Sequence, residues 1–476
     1  MGKKFYITTT LPYVNAEPHL GFALELIQAD VLARYHRLLG DEVFFNTGTD
    51  EHGLKIYQKA KEAKKPPQVY VDELATKFNR LKGALNLSYN SFIRTTEKRH
   101  LKAAQEFWRR CVQKGDIYKA KYKIKYCVGC ELAKTDSELI EGRCPLHPQR
   151  NLEMIEEENY FFKFSKYQEP LLKFYTQHPN FIIPSSRFKE IQNFVASGLQ
   201  DFSISRIKEK MPWGVPVPGD PEQVMYVWFD ALVNYVTAVG WPTEARNFKK
   251  WWPAVQIAGK DNLRQQAAMW QAMLMSAGLP NSRQILIHGF ITIDGQKISK
   301  SLGNVIDPFV LVENYGVDAL RYYLLKEFPP FNDADFNLKH FQEVYNADLA
   351  NGLGNLVQRL AKLAERANFS VQISNLAFKI QNYPKIKNLL AAYKFNEVLI
   401  LLWEKLAKID KYLNEEKPWT KTDEDLRRVL QKPVRELQEV VFLLQPFLPK
   451  TAKKIDSLFK QKKITMPVKP LFPRIK

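Results

Sequence analysis

Lys4-Phe-Tyr-Ile-Thr-Thr-Thr10, continuing as Leu11-Pro-Tyr-Val-Asn-Ala-Glu-Pro-His19-Leu-Gly21-Phe22, is the stretch that decides the fold. After Lys4 its first residues are all aromatic or β-branched, which reads as a strand. From Ala23 to Leu39 apolar residues recur at three- and four-residue spacing, through Leu24, Ile27, Val31, Tyr35 and Leu38, which reads as a helix. A strand, a turn bearing His19 and Gly21, and a helix N-terminus bring unpaired amides and the positive end of a helix dipole to one point. Such a point binds anions. The stretch is neither the lysine-bearing P-loop nor the GxGxxG dinucleotide turn.

A second strand, Asp41-Glu-Val-Phe-Phe45, leads into Asn46-Thr-Gly-Thr-Asp50-Glu-His52-Gly53. In parallel α/β sheets ligands bind beyond the carboxyl ends of the strands, where both of these loops fall. Far downstream, the apolar strand Gln284-Ile-Leu-Ile-His288-Gly-Phe290 runs into Ile291-Thr-Ile and then Asp294-Gly-Gln-Lys297-Ile-Ser299-Lys300-Ser-Leu-Gly-Asn304. Lysine and serine donate hydrogen bonds and glycine admits close backbone approach, so this loop suits a polyphosphate. Asp294-Gly295 reads as a hairpin turn able to carry the lysines over a bound nucleotide.

The predicted organisation is α/β. Residues 1–116 form the first half of a Rossmann-type nucleotide-binding domain, 117–221 an insertion, and 222–322 the second half with the lysine loop. Residues 323–345 link to an α-helical region at 346–460, and 461–476 form a basic, proline-containing tail expected to be extended or mobile. Within the helical region, amphipathic patterns span 351–364, 389–413 and 426–444 and argue for a bundle.

The insertion carries Cys127-Val-Gly-Cys130 and, after thirteen intervening residues, Cys144-Pro-Leu-His147. Three thiolates and one imidazole in two short-spaced pairs are what a closed tetrahedral zinc site requires, and a closed site is structural because no position remains for water. Cys111 lies outside the cluster and reads as a helix residue.

Lys and Arg number 70 against 51 Asp and Glu, a formal net charge of +19. That surplus suits a polyanionic partner, nucleic acid foremost. The chain has no apolar run of the roughly 18 residues that a membrane span needs, and no signal peptide precedes the first strand. With four cysteines, three in one cluster, a disulfide framework is not expected. The expected location is the cytoplasm.

Pro18-His-Leu-Gly21 and Lys297-Ile-Ser-Lys-Ser301, in this order, resemble the two signatures of the class I aminoacyl-tRNA synthetases. The resemblance is to the methionyl-tRNA synthetase family and runs along nearly the whole chain. It includes Thr47–Gly53, the cysteine knuckle, Tyr226-Val-Trp-Phe-Asp-Ala-Leu-Val-Asn-Tyr235, Gly259-Lys-Asp-Asn262, Asp318-Ala-Leu-Arg-Tyr-Tyr-Leu-Leu325 and Asn355-Leu-Val-Gln-Arg359. The resemblance implies a synthetase fold with a stem-contact linker and an anticodon-binding bundle. It implies activation of L-methionine by ATP, with Mg2+, to methionyl-adenylate and pyrophosphate, followed by transfer to tRNA(Met), initiator tRNA included.

The family pattern also assigns roles. His19, Lys297 and Lys300 would stabilise phosphate charge, with Ser299 beside them and Gly21 leaving room for adenine. Asp50 would pair with the substrate ammonium. Leu11, Tyr13, Trp228, Ala231 and Tyr235 would surround the thioether, with Asn262 and Gln266 alongside. Asp261 would line the adenylate site, Asn15 and Arg206 would complete it, and Asn355, Arg359 and Trp419 would read the anticodon. The family reading also makes the chain a monomer.

Two positions depart from the family. The first signature usually reads His-x-Gly-His, but residue 22 is Phe22, which cannot donate to phosphate. Gln266 stands where relatives place a histidine. These departures keep open a catalytically weakened paralogue that binds tRNA or nucleotide. A class I synthetase for another amino acid is the other alternative.

Overall fold

The structure, a computed structural model, describes residues 2–130, 132–134, 138–293, 295–297, 305–370 and 378–475. Its central sheet has six parallel strands: β1 (Lys4–Thr9), β2 (Glu42–Thr49), β3 (Ser91–Arg94), β4 (Ile182–Ile183), β5 (Val255–Gly259) and β6 (Gln284–His288). They lie in the order β3-β2-β1-β5-β6-β4. Strand alternation sends Phe5, Ile7, Ile257 and Leu286 into one core and Tyr6, Ala258, Ile285 and Ile287 into the other. Both faces are covered, as a parallel sheet requires.

Helix α1 (Leu20–Leu38) follows the first loop and packs on one face. On the other face lie α2 (Lys98–Gln113) and the short α3 (Val227–Ala231), through Phe107, Trp108 and Phe229. The core on the α1 side runs on into α4 (Val317–Lys326) and then into a bundle of α5 (Asn355–Arg366), α6 (Phe395–Glu416), α7 (Asp423–Leu444) and α8 (Pro449–Phe459). The α/β body and the bundle therefore share one apolar core.

Three expectations need adjusting. The segment 117–221 is not wholly outside the sheet, because Ile182–Ile183 pairs in parallel with β6. A two-residue strand is too short to leave a periodic signal. The helix expected over 351–364 begins inside a π-helix, Tyr345–Gly354, before α5 takes over. Leu349 and Leu353 stay buried at a spacing that either helix type accommodates. The pattern over 389–413 is broken between Pro384–Ala391 and α6, where Tyr393 adopts a left-handed conformation at φ 61°. Neither glycine nor proline marks that break.

The tail is extended but docked. Asn346 exchanges hydrogen bonds with the Ile475 backbone at 3.0 and 2.9 Å, Arg474 donates to Asn351 at 2.6 Å, and Phe472 is buried. Among the described residues no helix is long and apolar enough to cross a membrane.

Candidate active site

The loops after β1 and β2 are stitched together at the carboxyl edge of the sheet. Asp50 N–H donates to Pro12 O at 2.9 Å and Val14 N–H to Asp50 O at 3.1 Å. Beside them opens a cavity of about 360 Å³. Leu11, Tyr13, Asn15 and Asp50 line it from these loops, and Trp228, Ala231 and Tyr235 from α3 and the short helix Asn234–Thr237 after it. Asp261, Asn262 and Gln266 come from the segment after β5. Ten residues from four separate stretches of sequence thus share one wall. Cavity-lining residues also present three buried polar atoms with no protein hydrogen bond: Trp228 Nε1, Asn234 Oδ1 and Gln265 Oε1. Unsatisfied polar atoms in a cavity wall mark a place for a polar ligand or water.

His19 is the N-cap of α1, and its Nδ1 accepts the Gly21 N–H at 3.1 Å. The neutral ring therefore carries its proton on Nε2. The family resemblance implies that Gly21 leaves room for adenine, and its local role is also visible. A Cβ there would stand 3.0 Å from the His19 ring, so glycine lets the imidazole fold over the helix start. Phe22 follows, its ring 4.3 Å from His19 and 5.5 Å from Phe78, and it lines the cavity. The phenylalanine is fitted to hydrocarbon. Phe22→His is expected to raise the adenylation rate by about tenfold, less than the roughly 100- to 1000-fold typical of a transition-state donor, because the new ring must leave an apolar seat. An unchanged or lower rate would show a cleft rebuilt around phenylalanine.

Gln266 sits in a π-helical turn, Gln265–Met269, a feature frequent at functional sites. Its Nε2 donates to the Tyr235 hydroxyl at 2.7 Å, and Gln256 Nε2 donates to its Oε1 at 3.1 Å. Burial pushes the Tyr235 hydroxyl well above its ordinary value, so it stays neutral. The departure at 266 is therefore satisfied by a buried amide network.

Two residues that the sequence reading passed over support the start of the first loop. Glu25 accepts from the Thr10 N–H and hydroxyl at 2.7 and 2.6 Å and from His288 Nε2 at 2.9 Å. His288 Nδ1 faces the Gly289 carbonyl at 2.7 Å, so both ring nitrogens point at acceptors. Burial alone would lower this histidine, but the Glu25 carboxylate carries it above its ordinary value. A lone Glu on an apolar helix face was the available signal. Lys55, another unforeseen residue, brings a cation to the cavity wall.

Arg206 lies apart from the wall. It donates to Ser203 Oγ at 2.8 Å and Ser205 O at 2.7 Å and stacks 4.4 Å over Tyr226, the residue before α3. Lys297 belongs to a two-residue strand, Gln296–Lys297, paired with Ile291–Ile293, and Gly295 takes the positive φ of 71° that the hairpin reading implies. Ser299 and Lys300 lie outside the described residues, as does the Lys297 side chain.

The knuckle stands over the cleft. Cys127, Cys130, Cys144 and His147 hold their ligand atoms within 4.8 Å of one another, with Cys130 Sγ 3.4 Å from Cys144 Sγ and 3.3 Å from His147 Nδ1. Tetrahedral zinc with bonds near 2.0–2.3 Å separates its ligands by roughly 3.5 Å, so the donor set fits. Gly129 is required here, since a Cβ would meet the His147 ring at 2.5 Å. Gly129, Cys130, Leu146 and His147 also line the cavity, and Arg264 holds the knuckle to the body through Glu138 at 2.9 Å. Cys111 is buried in α2, its thiol pushed up to about 12 by burial.

In the bundle, Asn355 is exposed and Arg359 is half-buried on the same helix. The Arg359 guanidinium ion-pairs with Asp410 and donates to Asn414 at 2.9 Å. Trp419 is 48% exposed on a short turn whose carbonyls, at Pro418, Trp419 and Lys421, all accept from Arg366 at 3.0 to 3.1 Å. Arg366 thus presents the tryptophan, a role invisible in the sequence because it depends on backbone carbonyls 52 to 55 residues away.

A parallel sheet divided by a cysteine knuckle, with a cleft at its carboxyl edge and a helical bundle behind, is the architecture of a class I tRNA synthetase. The family described as tRNA synthetases class I (M) matches residues 5–153 and 146–361. The chain is 43% identical to the methionine–tRNA ligase of a Nostoc species over 95% of its length and 89% of that protein's. It is 52% identical to that of Thermosynechococcus vestitus over 76% of this chain and 70% of the other. The methionyl-tRNA synthetase of Mycobacterium tuberculosis in complex with methionyl-adenylate superposes at a TM-score of 0.90 with 36% identity, covering 99% of this chain and 100% of that one. The chain belongs to the methionine–tRNA ligase family.

Proposed function

We propose that the protein activates L-methionine with ATP and transfers it to tRNA(Met), initiator tRNA included, acting as a cytoplasmic monomer. The observation that carries this reading is the single cavity in which Asp50, the aromatic residues Tyr13, Trp228 and Tyr235, and Asp261 with Asn262 converge. Aromatic faces and edges suit a polarizable thioether, and a buried carboxylate suits an ammonium.

The substrate carboxylate is ionised at neutral pH and attacks the α-phosphorus without a general base. Catalysis is then alignment and stabilisation of phosphate charge. His19 would donate from Nε2 at the start of α1, with Gly21 beside it. Lys297, Ser299 and Lys300 would stabilise phosphate charge, with Mg2+ shielding it as well. Asp261 would hold the adenylate, Asn15 and Arg206 would support the site, and Leu11, Ala231 and Gln266 would close on the side chain. The 2′-hydroxyl of the terminal adenosine would then attack the adenylate and release AMP.

The test is ATP–pyrophosphate exchange across amino acids. Exchange with methionine is the expected result. Exchange with another amino acid, or with none, would overturn it in favour of a different synthetase or of a weakened paralogue.

The knuckle is read as a structural zinc site that keeps the cleft wall formed, and metal analysis of the purified protein is expected to return one zinc per chain. In the bundle, Asn355 and Arg359 would make two-point contacts with anticodon bases and Trp419 would stack on one. Trp419→Ala is expected to raise the KM for tRNA by about 10- to 100-fold, the range of one lost base stack. Exchange, which needs no tRNA, should stay within about twofold of wild type. Equal losses in both assays would assign Trp419 to bundle packing instead.

A further inference from the structure

The cleft wall is built from two pieces that are distant in the chain: the loop after β2, which carries Asp50, and α3, which carries Trp228 and Ala231. A buried cluster joins them. His52 Nδ1–H donates to Asp230 Oδ2 at 2.6 Å, and His100 Nε2–H, from α2, donates to Asp230 Oδ1 at 2.7 Å. Asp230 and His100 have no exposed surface and His52 is 4% exposed, and none of the three lines the cavity. Burial would raise the Asp230 carboxyl, but the two imidazoles overcome that and hold it at about 2, so it remains an acceptor.

The position of these residues gives the cluster its consequence. Asp50 and His52 are separated by one residue, Glu51, whose buried carboxylate is held by Arg94 at 2.7 and 2.8 Å. Trp213 closes the other side. It donates to Glu51 O at 2.6 Å, accepts from Gly53 N–H at 3.1 Å and packs edge-on against the His52 ring. With its neighbours so fixed, the loop transmits the place of His52 to Asp50. Asp230 lies between Trp228 and Ala231, so it transmits the same constraint to the aromatic pocket.

We propose that His52 is a positioning residue which, through Asp230, sets the distance between the carboxylate that receives the substrate ammonium and the pocket that receives its side chain, and thereby selects side-chain length. The inference rests on the methionine reading of the cleft and deepens it. A pocket separated from its ammonium site by a fixed span rejects an amino acid one methylene too short, whereas a loosened span accommodates it.

The test compares methionine with S-methylcysteine, shorter by one methylene, in ATP–pyrophosphate exchange by wild type, His52→Ala and His52→Asn. For His52→Ala the KM for methionine is expected to rise about tenfold with the KM for ATP within about twofold, and the kcat/KM preference for methionine to fall about tenfold, within what one methylene commands. His52→Asn, whose amide N–H stands where the Nδ1–H does, should fall between wild type and His52→Ala. Circular dichroism establishes folding, and if His52→Ala does not fold, Asp230→Asn is measured against the same expectations. A folded variant in which both KM values rise together, or the preference is unchanged, overturns the proposal while the methionine reading stands. A wild-type enzyme without methionine-dependent exchange overturns both.

Discussion

Replacing Asp50 by Asn is expected to lower kcat/KM for methionine by between about 150- and 5000-fold, the equivalent of the roughly 3–5 kcal/mol lost when one partner of a buried ion pair is removed. Asp50 is 6% exposed, and its backbone is fixed on both sides by the Pro12 and Val14 hydrogen bonds. The substitution keeps the shape of the side chain and removes the charge, so the loop should hold while the ammonium loses its counter-ion. The proposed ammonium contact would be made in the ground state as much as in the transition state. The loss should therefore fall on the KM for methionine, with kcat and the KM for ATP changed far less. Steady-state exchange kinetics measure it, and a change under about fivefold would place the ammonium elsewhere in the cleft.

Arg321→Met is expected to destabilise the fold by about 3–5 kcal/mol. Arg321 and Asp30 are both fully buried, with Arg321 Nη1 2.8 Å from Asp30 Oδ2. The guanidinium also donates to Phe447 O at 2.7 Å, Pro446 O at 2.9 Å and Leu85 O at 3.2 Å. One side chain on α4 thus ties α1, the helix of the first signature, to the turn between α7 and α8. Methionine fills similar volume, but it leaves three carbonyls without this donor and Asp30 with only Arg34 and Ser88 as partners.

The pH dependence of this pair has a definite sign. Burial would raise Asp30, but Arg321 and Arg34 outweigh it and hold the carboxyl below its ordinary value of 3.8. A carboxyl depressed in the folded state stabilises above its unfolded value, and that stability is lost as pH falls through the folded one. The difference between wild type and Arg321→Met in urea unfolding should therefore be full at pH 7 and shrink below about pH 4. A difference below about 1 kcal/mol at pH 7, the ordinary effect of a point substitution, would show that the joint is dispensable.

Much of the site was legible from local pattern. The strand, turn and helix from Lys4 to Leu38, the left-handed Gly295, and the spacing of Cys127, Cys130, Cys144 and His147 each depend on neighbours within a few residues. The residues that escaped notice depend on distant partners. Glu25 and His288 meet across 263 residues, and His52 and Asp230 across 178. The break at Tyr393 and the strand Ile182–Ile183 escaped for a different reason, since neither has a residue type or a length that pattern can register.

The sequence by itself determined the parallel α/β body, the interrupting knuckle, the helical bundle and most of the chemical groups of the cleft. Hydrophobic period, turn chemistry and ligand spacing are short-range properties written in consecutive residues. Only the tertiary structure decided which buried polar groups answer one another, how the knuckle comes to form a wall of the cleft, and that one arginine joins the bundle to the signature helix. A buried charge is tolerated only where the folded chain supplies its partner, and that supply exists in three dimensions alone.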